Sequence, residues 1–138
     1  MARPAPSQVV VRSIGGEIVK GYTDDFDPDQ PSFHLVPAFD SGDEPIEVPL
    51  KGLKAVFFVR SFAGNPQYVE RKAVFDEPRP EGRKVMVEFS DGEVLVGYTA
   101  GYKPQKGGLF VVPVDPRSNN VKVYAVLAAV TRVNLLSW

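Results

Sequence analysis

Residues 84–98 read KVMVEFSDGEVLVGY. Apolar and polar residues alternate from Lys84 to Phe89, a period of two that is typical of a strand with one buried face. Asp91-Gly92 follows, and such a pair between two apolar runs is a strong hairpin signal because both turn residues take positive φ. Gly97 lies inside the second run, where glycine usually marks a bend or bulge. The stretch therefore predicts a β-hairpin whose second strand is bent.

The same pattern occurs once more, near the start of the chain. GEIVKGYT at 16–23 matches GEVLVGYT at 92–99, an offset of 76 residues, and Gly15-Gly16 takes the place of Asp91-Gly92. Eight of the 22 positions from 16 to 37 are identical to their counterparts. Beyond Pro37 the loops differ, and the copies rejoin with a shift of one residue, which aligns Val56 with Val133. We interpret the chain as two copies of one unit, at 9–59 and 84–138, with a connector at 60–83.

Each copy is predicted to hold five strands. In the second copy these are expected at 84–89, 93–102, 109–114, 121–128 and 131–136, with a tight 3₁₀-like corner at Ala128-Ala129 before the last strand. A helix over Val121–Val133 is the competing interpretation, but the run is rich in β-branched residues and has no N-cap signal beyond Asn120. The 13 prolines and 12 glycines among 138 residues also indicate frequent turns rather than long helices.

This strand pattern resembles the Sm-like and SH3-like small β-barrels, which share a bent second strand and a tight corner before the last strand. The resemblance implies an all-β chain of two tandem five-stranded barrels joined by a partly structured connector. The Asp-x-apolar-Asn and Arg-Gly patterns by which Sm proteins bind RNA are missing, so the RNA site does not carry over. Through Gly-Tyr-Thr and the segment 115–120 the chain also resembles an uncharacterised bacterial domain found alone or joined to signalling modules.

Composition excludes several classes of function. The chain has no cysteine, which rules out disulfides, thiolate catalysis and zinc ribbons. Its net charge is −1, and no segment is basic enough to indicate nucleic-acid binding. No apolar run approaches the roughly 18 residues of a membrane-spanning helix, so a cytoplasmic location is expected. The single histidine, His34, is interpreted as a strand-surface residue, and the acidic run Asp24–Asp29 as a solvated loop tip rather than a cation site.

One candidate ligand site rests on a second resemblance. Arg79 and Arg83 have the Arg-x-x-x-Arg spacing of the first motif of PilZ domains, which bind a cyclic dinucleotide. Asp115 and Ser118 resemble the second motif, but they stand one residue too far apart and the glycine is missing. A solvated connector is the competing interpretation of the two arginines.

The function predicted from these observations is a non-enzymatic binding or adaptor module in bacterial signalling or regulation, which contacts a partner protein or a second copy of itself. Its alternatives are a cyclic dinucleotide sensor of PilZ-like type and an RNA-binding Sm-like protein. We expect no catalytic residue, metal, cofactor or membrane partner. The second copy is the more apolar along its bent strand, which suggests an interaction surface there, and burial between the two barrels is the competing interpretation. Its candidate residues are Val96, Tyr98, Tyr102, Phe110 and Trp138.

Overall fold

The structure is a computed structural model that describes residues 6–37, 44–62, 82–101, 107–115 and 117–136. The described residues form ten strands and one 3₁₀ turn. They are β1 (Ser7–Ser13), β2 (Ile18–Thr23), β3 (Ser32–Leu35), β4 (Ile46–Pro49), β5 (Leu53–Val59), β6 (Arg83–Phe89), β7 (Val94–Thr99), β8 (Gly108–Pro113), β9 (Asn120–Val126), the 3₁₀ turn (Leu127–Ala129) and β10 (Val130–Leu135). We refer to β1–β5 as the first half and β6–β10 as the second half.

Antiparallel pairing connects nearly all of these strands. Eight of them form one sheet in the order β10-β6-β7-β8-β9-β5-β1-β2, and β3 pairs with β4 separately. An isolated bridge connects β2 to the end of β3, with hydrogen bonds of 2.8 and 2.9 Å between the backbones of Tyr22 and Val36. If that bridge is counted as a pairing, the strands of each half have the same spatial order. Numbered within each half, this order is fifth, first, second, third and fourth strand. The order is open at its ends, so the strand pairing of the described residues does not close either half into the predicted barrel.

The β5–β9 ladder joins the halves and separates two hydrophobic cores. Every residue of β5 is buried, which requires apolar packing on both faces of this strand. On one face, Ala55, Phe57 and Val59 belong to a core with residues of the second half. On the other face, Val56 and Phe58 pack in a core with β1 and β3. The two cores therefore share a wall, and β5 supplies side chains to both.

The two predicted hairpins form, but their loops have three residues rather than two. In the first, the Gly16 amide donates to the Ser13 carbonyl (3.1 Å) and the Ser13 amide donates to the Glu17 carbonyl (2.9 Å). Gly16 has φ +96° and Gly92 has φ +93°, while Gly15 is not among the positive-φ glycines. This is the pattern of a turn followed by a left-handed glycine in a bulge, which needs one such residue per hairpin.

The all-β class is confirmed, and so are the strand interpretation of residues 121–133 and the tight corner, which is the 3₁₀ turn at Leu127–Ala129. The second strand of the second half is shorter than expected, since β7 ends at Thr99. Most of the connector, residues 63–81, lies outside the described residues. Among the residues that the structure covers, no helix has the length and apolar character to cross a membrane.

Candidate functional site

Aromatic rings collect on one face of the sheet, beside the ladder that joins the halves. Phe26, in the loop after β2, meets Phe33 and Phe58 edge to face at centroid distances of 5.1 and 5.4 Å. It meets Tyr124 of β9 at 5.4 Å and Phe110 of β8 at 6.0 Å in the same way. Aromatic pairs favour such geometry because a ring edge is positive and a ring face negative. The cluster thus packs rings from both halves against each other.

A groove of about 290 Å³ lies over this cluster. It is lined by Ser7, Thr23, Asp24, Phe26, Phe58, Phe110 and Lys122. Five of these residues come from five adjacent strands, β2, β1, β5, β9 and β8 in that order. Because neighbouring strands lie about 4.8 Å apart, a groove across five strands spans about 19 Å.

Lys122 supplies a positive charge at the β9 end of this groove. Its Nζ lies 4.8 Å from the ring centroid of Phe58 and 5.1 Å from that of Phe110. An ammonium over an aromatic face is attracted by the ring quadrupole, which holds the charge at the groove rim. Behind it, burial and the negative charge of Asp29 raise the pKa of the Tyr124 phenol, so this side chain is neutral at physiological pH.

The loop that carries Phe26 is anchored by Asp25. Its carboxylate accepts hydrogen bonds from the His34 backbone amide (2.9 Å), the His34 ring Nδ1 (2.6 Å) and the Thr23 hydroxyl (3.1 Å). Burial alone raises the pKa of Asp25, but the bonds from His34 and Thr23 outweigh it and hold the pKa below its usual value. His34 lies exposed on β3, as predicted. Asp25 and His34 thus hold in place the loop whose Asp24 and Phe26 line the groove.

A family model described as a family of unknown function, DUF6982, matches residues 5–137. The chain belongs to this family. The match spans both halves and the connector, and it confirms the expectation of an uncharacterised family. No curated protein and no solved structure matches the chain.

The predicted interaction residues of this DUF6982 member occupy different environments. Phe110 is half-buried and lines the groove. Tyr98 is 3% exposed and therefore has almost no surface to present, while Val96 is half-buried on β7. Tyr102 and Trp138 lie outside the described residues.

Asp115 and Ser118 of the PilZ-like set are buried and bond to their own loop. The Asp115 carboxylate accepts a hydrogen bond from the Arg117 amide (2.9 Å), and the Ser118 hydroxyl accepts one from the Asn120 amide (3.0 Å). These local bonds are the turn-forming bonds that Asp and Ser commonly make. Arg83 is exposed at the start of β6, and Arg79 lies outside the described residues.

Sequence reasoning missed Phe26, Phe58 and Lys122. Phe26 lies in the acidic run that was interpreted as solvated, and its ring turns inward instead. Phe58 and Lys122 are directly opposite each other in the β5–β9 ladder. The pairing of these two strands, 64 positions apart at this point, leaves no local signal in the sequence. No group of three or more His, Cys, Asp or Glu side chains suited to a metal ion occurs in the described part of the chain.

Proposed function

We propose that this chain is a non-enzymatic protein-binding module built from two repeats of an Sm- or SH3-like unit, and that the aromatic groove accepts an extended peptide segment of a partner protein. The observation that carries this proposal is the groove itself: three phenylalanine rings, a cation at the rim and a fixed loop along one side. Clustered aromatic side chains are common anchors at protein interfaces, and a charge at the rim of an interface contributes to the choice of partner.

Three observations support the repeat. Identical residues recur at the 76-residue offset, and equivalent strands follow the same order in each half. In both halves a glycine stands where the second strand crosses the third. A Cβ on Gly21 would lie 2.7 Å from the Val36 carbonyl oxygen, and one on Gly97 would collide with the Val112 carbonyl. Sharp bends of this kind are how small sheets curl.

The size and chemistry of the groove favour a peptide over an enclosed small molecule. Pockets for small molecules usually measure about 300–1,000 Å³, and this groove, at about 290 Å³, is slightly smaller. An extended peptide rises about 3.3 Å per residue, so about six residues fill a length of about 19 Å. The rings of Phe58 and Phe110 suit an aliphatic or proline side chain, and Lys122 suits a carboxylate beside it. We therefore expect an acidic residue next to an apolar one.

Selection from a randomised peptide display library on the purified full chain tests this proposal. We expect enriched peptides to share an acidic–apolar pair. Phe110→Ala should weaken their binding about tenfold or more, which corresponds to about 1.4 kcal/mol. Lys122→Glu should shift the selected pattern from acidic to basic residues, because it reverses the charge at the rim while leaving the rings in place.

Matched controls separate the groove from the rest of the surface. Val121→Ala and Lys51→Glu change exposed residues outside the groove lining and should leave the selected pattern unchanged. Failure to enrich any common pattern, or a pattern that survives both Phe110→Ala and Lys122→Glu, would contradict the proposal. Binding of a cyclic dinucleotide without peptide enrichment would favour the sensor alternative.

A further inference from the structure

Among the described residues, the open backbone edges are β10, at one end of the eight-stranded sheet, and β4, on the outer side of the two-stranded ladder. The remaining edges, those of β2 and β3, face each other through the Tyr22–Val36 bridge. An open edge exposes backbone donors and acceptors that can pair with another strand, and natural proteins commonly block such edges with proline or charge. The residues at the two open edges therefore indicate which of them is available.

On β4 the outward groups are blocked. The Leu50 amide donates to the Pro31 carbonyl (2.9 Å). Because backbone amide and carbonyl groups alternate in direction along an antiparallel strand, those of Val48 and Ile46 also point toward β3. The groups of Pro45, Glu47 and Pro49 then point outward. Since proline has no amide proton, this edge offers one donor, at Glu47, between two prolines.

On β10 the outward groups are intact. The Leu136 amide donates to the Lys84 carbonyl (2.8 Å), so Asn134 also points its backbone groups toward β6. Val133 and Leu135 therefore direct an amide and a carbonyl away from the sheet. Neither is proline or charged, and the Leu135 side chain is 39% exposed. This edge lacks the protection that β4 has.

Within the chain, the strand equivalent to β10 uses the corresponding edge to pair with another strand. By the sequence alignment of Val56 with Val133, β5 is the first-half counterpart of β10. The outer edge of β5 pairs with β9, in the register Val56 to Tyr124 and Phe58 to Lys122. The first-half counterpart of β9 is β4, and Pro45 and Pro49 occupy its outward positions. A second chain therefore cannot extend the sheet by pairing its β4 with this β10.

We propose that β10 is an interaction edge for a second copy of this chain, and that two β10 strands pair antiparallel across a two-fold axis. Such an interface needs only one open edge, because each copy contributes the same one. With the axis at Asn134, Val133 of each copy lies opposite the other copy's Leu135, and their outward groups form four hydrogen bonds. Arg132 falls opposite Leu136, which keeps the two guanidinium groups apart. This interface is independent of the groove.

Sedimentation velocity over a concentration series in the micromolar range tests the interface, since one strand pair predicts a weak dimer. Leu135→Pro removes an outward amide while leaving the β6 ladder intact, and it should weaken dimerisation at least tenfold. Leu135→Thr keeps that amide and should still dimerise. Both variants should retain the wild-type melting temperature within a few degrees, because the side chain is partly exposed and the amide that proline removes points away from β6.

A crosslinking experiment does not depend on how Leu135→Pro folds. The chain has no cysteine, so Asn134→Cys introduces a single thiol. At a non-hydrogen-bonded antiparallel pair the Cα atoms lie about 4.5 Å apart, within the range of a disulfide. Oxidation by dissolved oxygen with a copper catalyst should crosslink Asn134→Cys into a dimer, while Val121→Cys, on exposed β9 surface, should stay monomeric. A wild-type chain that sediments as a monomer throughout, or an Asn134→Cys variant that fails to crosslink, would overturn the proposal.

Discussion

Lys54 connects the two halves through a buried charge. Its side chain is 5% exposed, and its Nζ contacts the carboxylates of Asp91 (2.7 Å) and Glu93 in the turn between β6 and β7. The ammonium also lies 4.8 Å from the ring centroid of Phe89. A buried ammonium without partners is costly, so these carboxylates hold the turn of the second half against β5 of the first.

This contact predicts a specific dependence of stability on pH. The hydrogen bond from Lys54, and then the one from the Glu93 amide, hold the pKa of Asp91 below its usual value of 3.8. A carboxyl whose pKa is lowered by folding stabilises the folded chain above pH 4, and that contribution disappears as the pH falls through the lowered pKa. Lys54→Met should therefore flatten the acid limb of a plot of melting temperature against pH between about 5 and 2.

The unfolding midpoint, measured by circular dichroism at each pH, checks this expectation. Lys51→Met is the matched control, because Lys51 is exposed near the start of the same strand and should keep the wild-type acid limb. An acid limb that is unchanged in Lys54→Met would show that Asp91 does not gain its acidity from this lysine.

Gly97 is required by close packing and not by its dihedral angles. It is not among the positive-φ glycines, but a Cβ at this position would collide with the Val112 carbonyl and would lie 2.7 Å from a methyl carbon of Val111. Gly97→Ala should destabilise the chain by about 1–3 kcal/mol or more, as expected for overpacking against backbone. Gly101→Ala meets no atom within 4 Å and should change stability by less than about 0.5 kcal/mol. Chemical denaturation of both variants makes the comparison, and equal stabilities would contradict it.

At the scale of elements, the loop between β8 and β9 fixes the start of the connector. The Arg60 amide donates to the Asn119 carbonyl (2.8 Å), and Arg60 Nε donates to the Ser118 carbonyl (3.0 Å). The Asn119 side chain accepts from the Ser61 amide (3.1 Å) and donates to the Ser61 carbonyl (2.9 Å). The residues that resembled a nucleotide-binding motif therefore lie in a loop that holds the chain as it leaves β5.

Asn119→Ala removes the two side-chain bonds to the Ser61 backbone and a longer one (3.4 Å) from the Ser61 hydroxyl. We expect faster hydrogen exchange at the Ser61 amide, by about tenfold, since two bonds of about 1 kcal/mol each are lost and water replaces part of them. Exchange in β5 should remain slow, because the backbone bond from Arg60 to residue 119 is retained. Arg117→Ala, which changes an exposed side chain of the same loop, should leave Ser61 exchange as in the wild type. If hydrogen exchange at the Ser61 amide is unchanged in Asn119→Ala, the Asn119 side chain does not hold the start of the connector in place.

The elements that the sequence predicted well are those that depend on neighbouring residues. The alternation before Phe89, the glycine at position 92 and the β-branched run after Asn120 each have a local physical cause, and the structure contains the corresponding hairpin and strands. The groove could not be found in this way, because five of its lining residues come from five different strands whose order depends on long-range pairing. Phe110 was selected for its aromatic character, and the burial of Tyr98 depends on how β7 crosses β8.

At the scale of the whole molecule, the shared wall makes the two halves interdependent. β5 follows the strands of the first half in sequence, yet Ala55, Phe57 and Val59 pack in the core of the second half. From β9, Tyr124 and Val126 pack in the core of the first half. Neither half can lose its structure without exposing apolar side chains of the other, and small domains of about 50 residues are marginally stable alone.

We therefore expect one cooperative unfolding transition rather than two.

Substitutions in each core test this expectation. Val9 is fully buried in the core of the first half, and Val87 is fully buried in the core of the second half. Val9→Ala and Val87→Ala should each lower the free energy of unfolding by about 2 kcal/mol, from the lost methyl groups and the cavity they leave. Because a shared wall couples the cores, each substitution should speed hydrogen exchange of the slowest amides in both halves, by about 30-fold. Val19→Ala, on exposed surface of β2, is the control and should have little effect on either half. If Val9→Ala accelerates exchange in β1 while β6 stays as slow as in the wild type, the halves unfold separately, and the packing of β5 on both cores does not couple them.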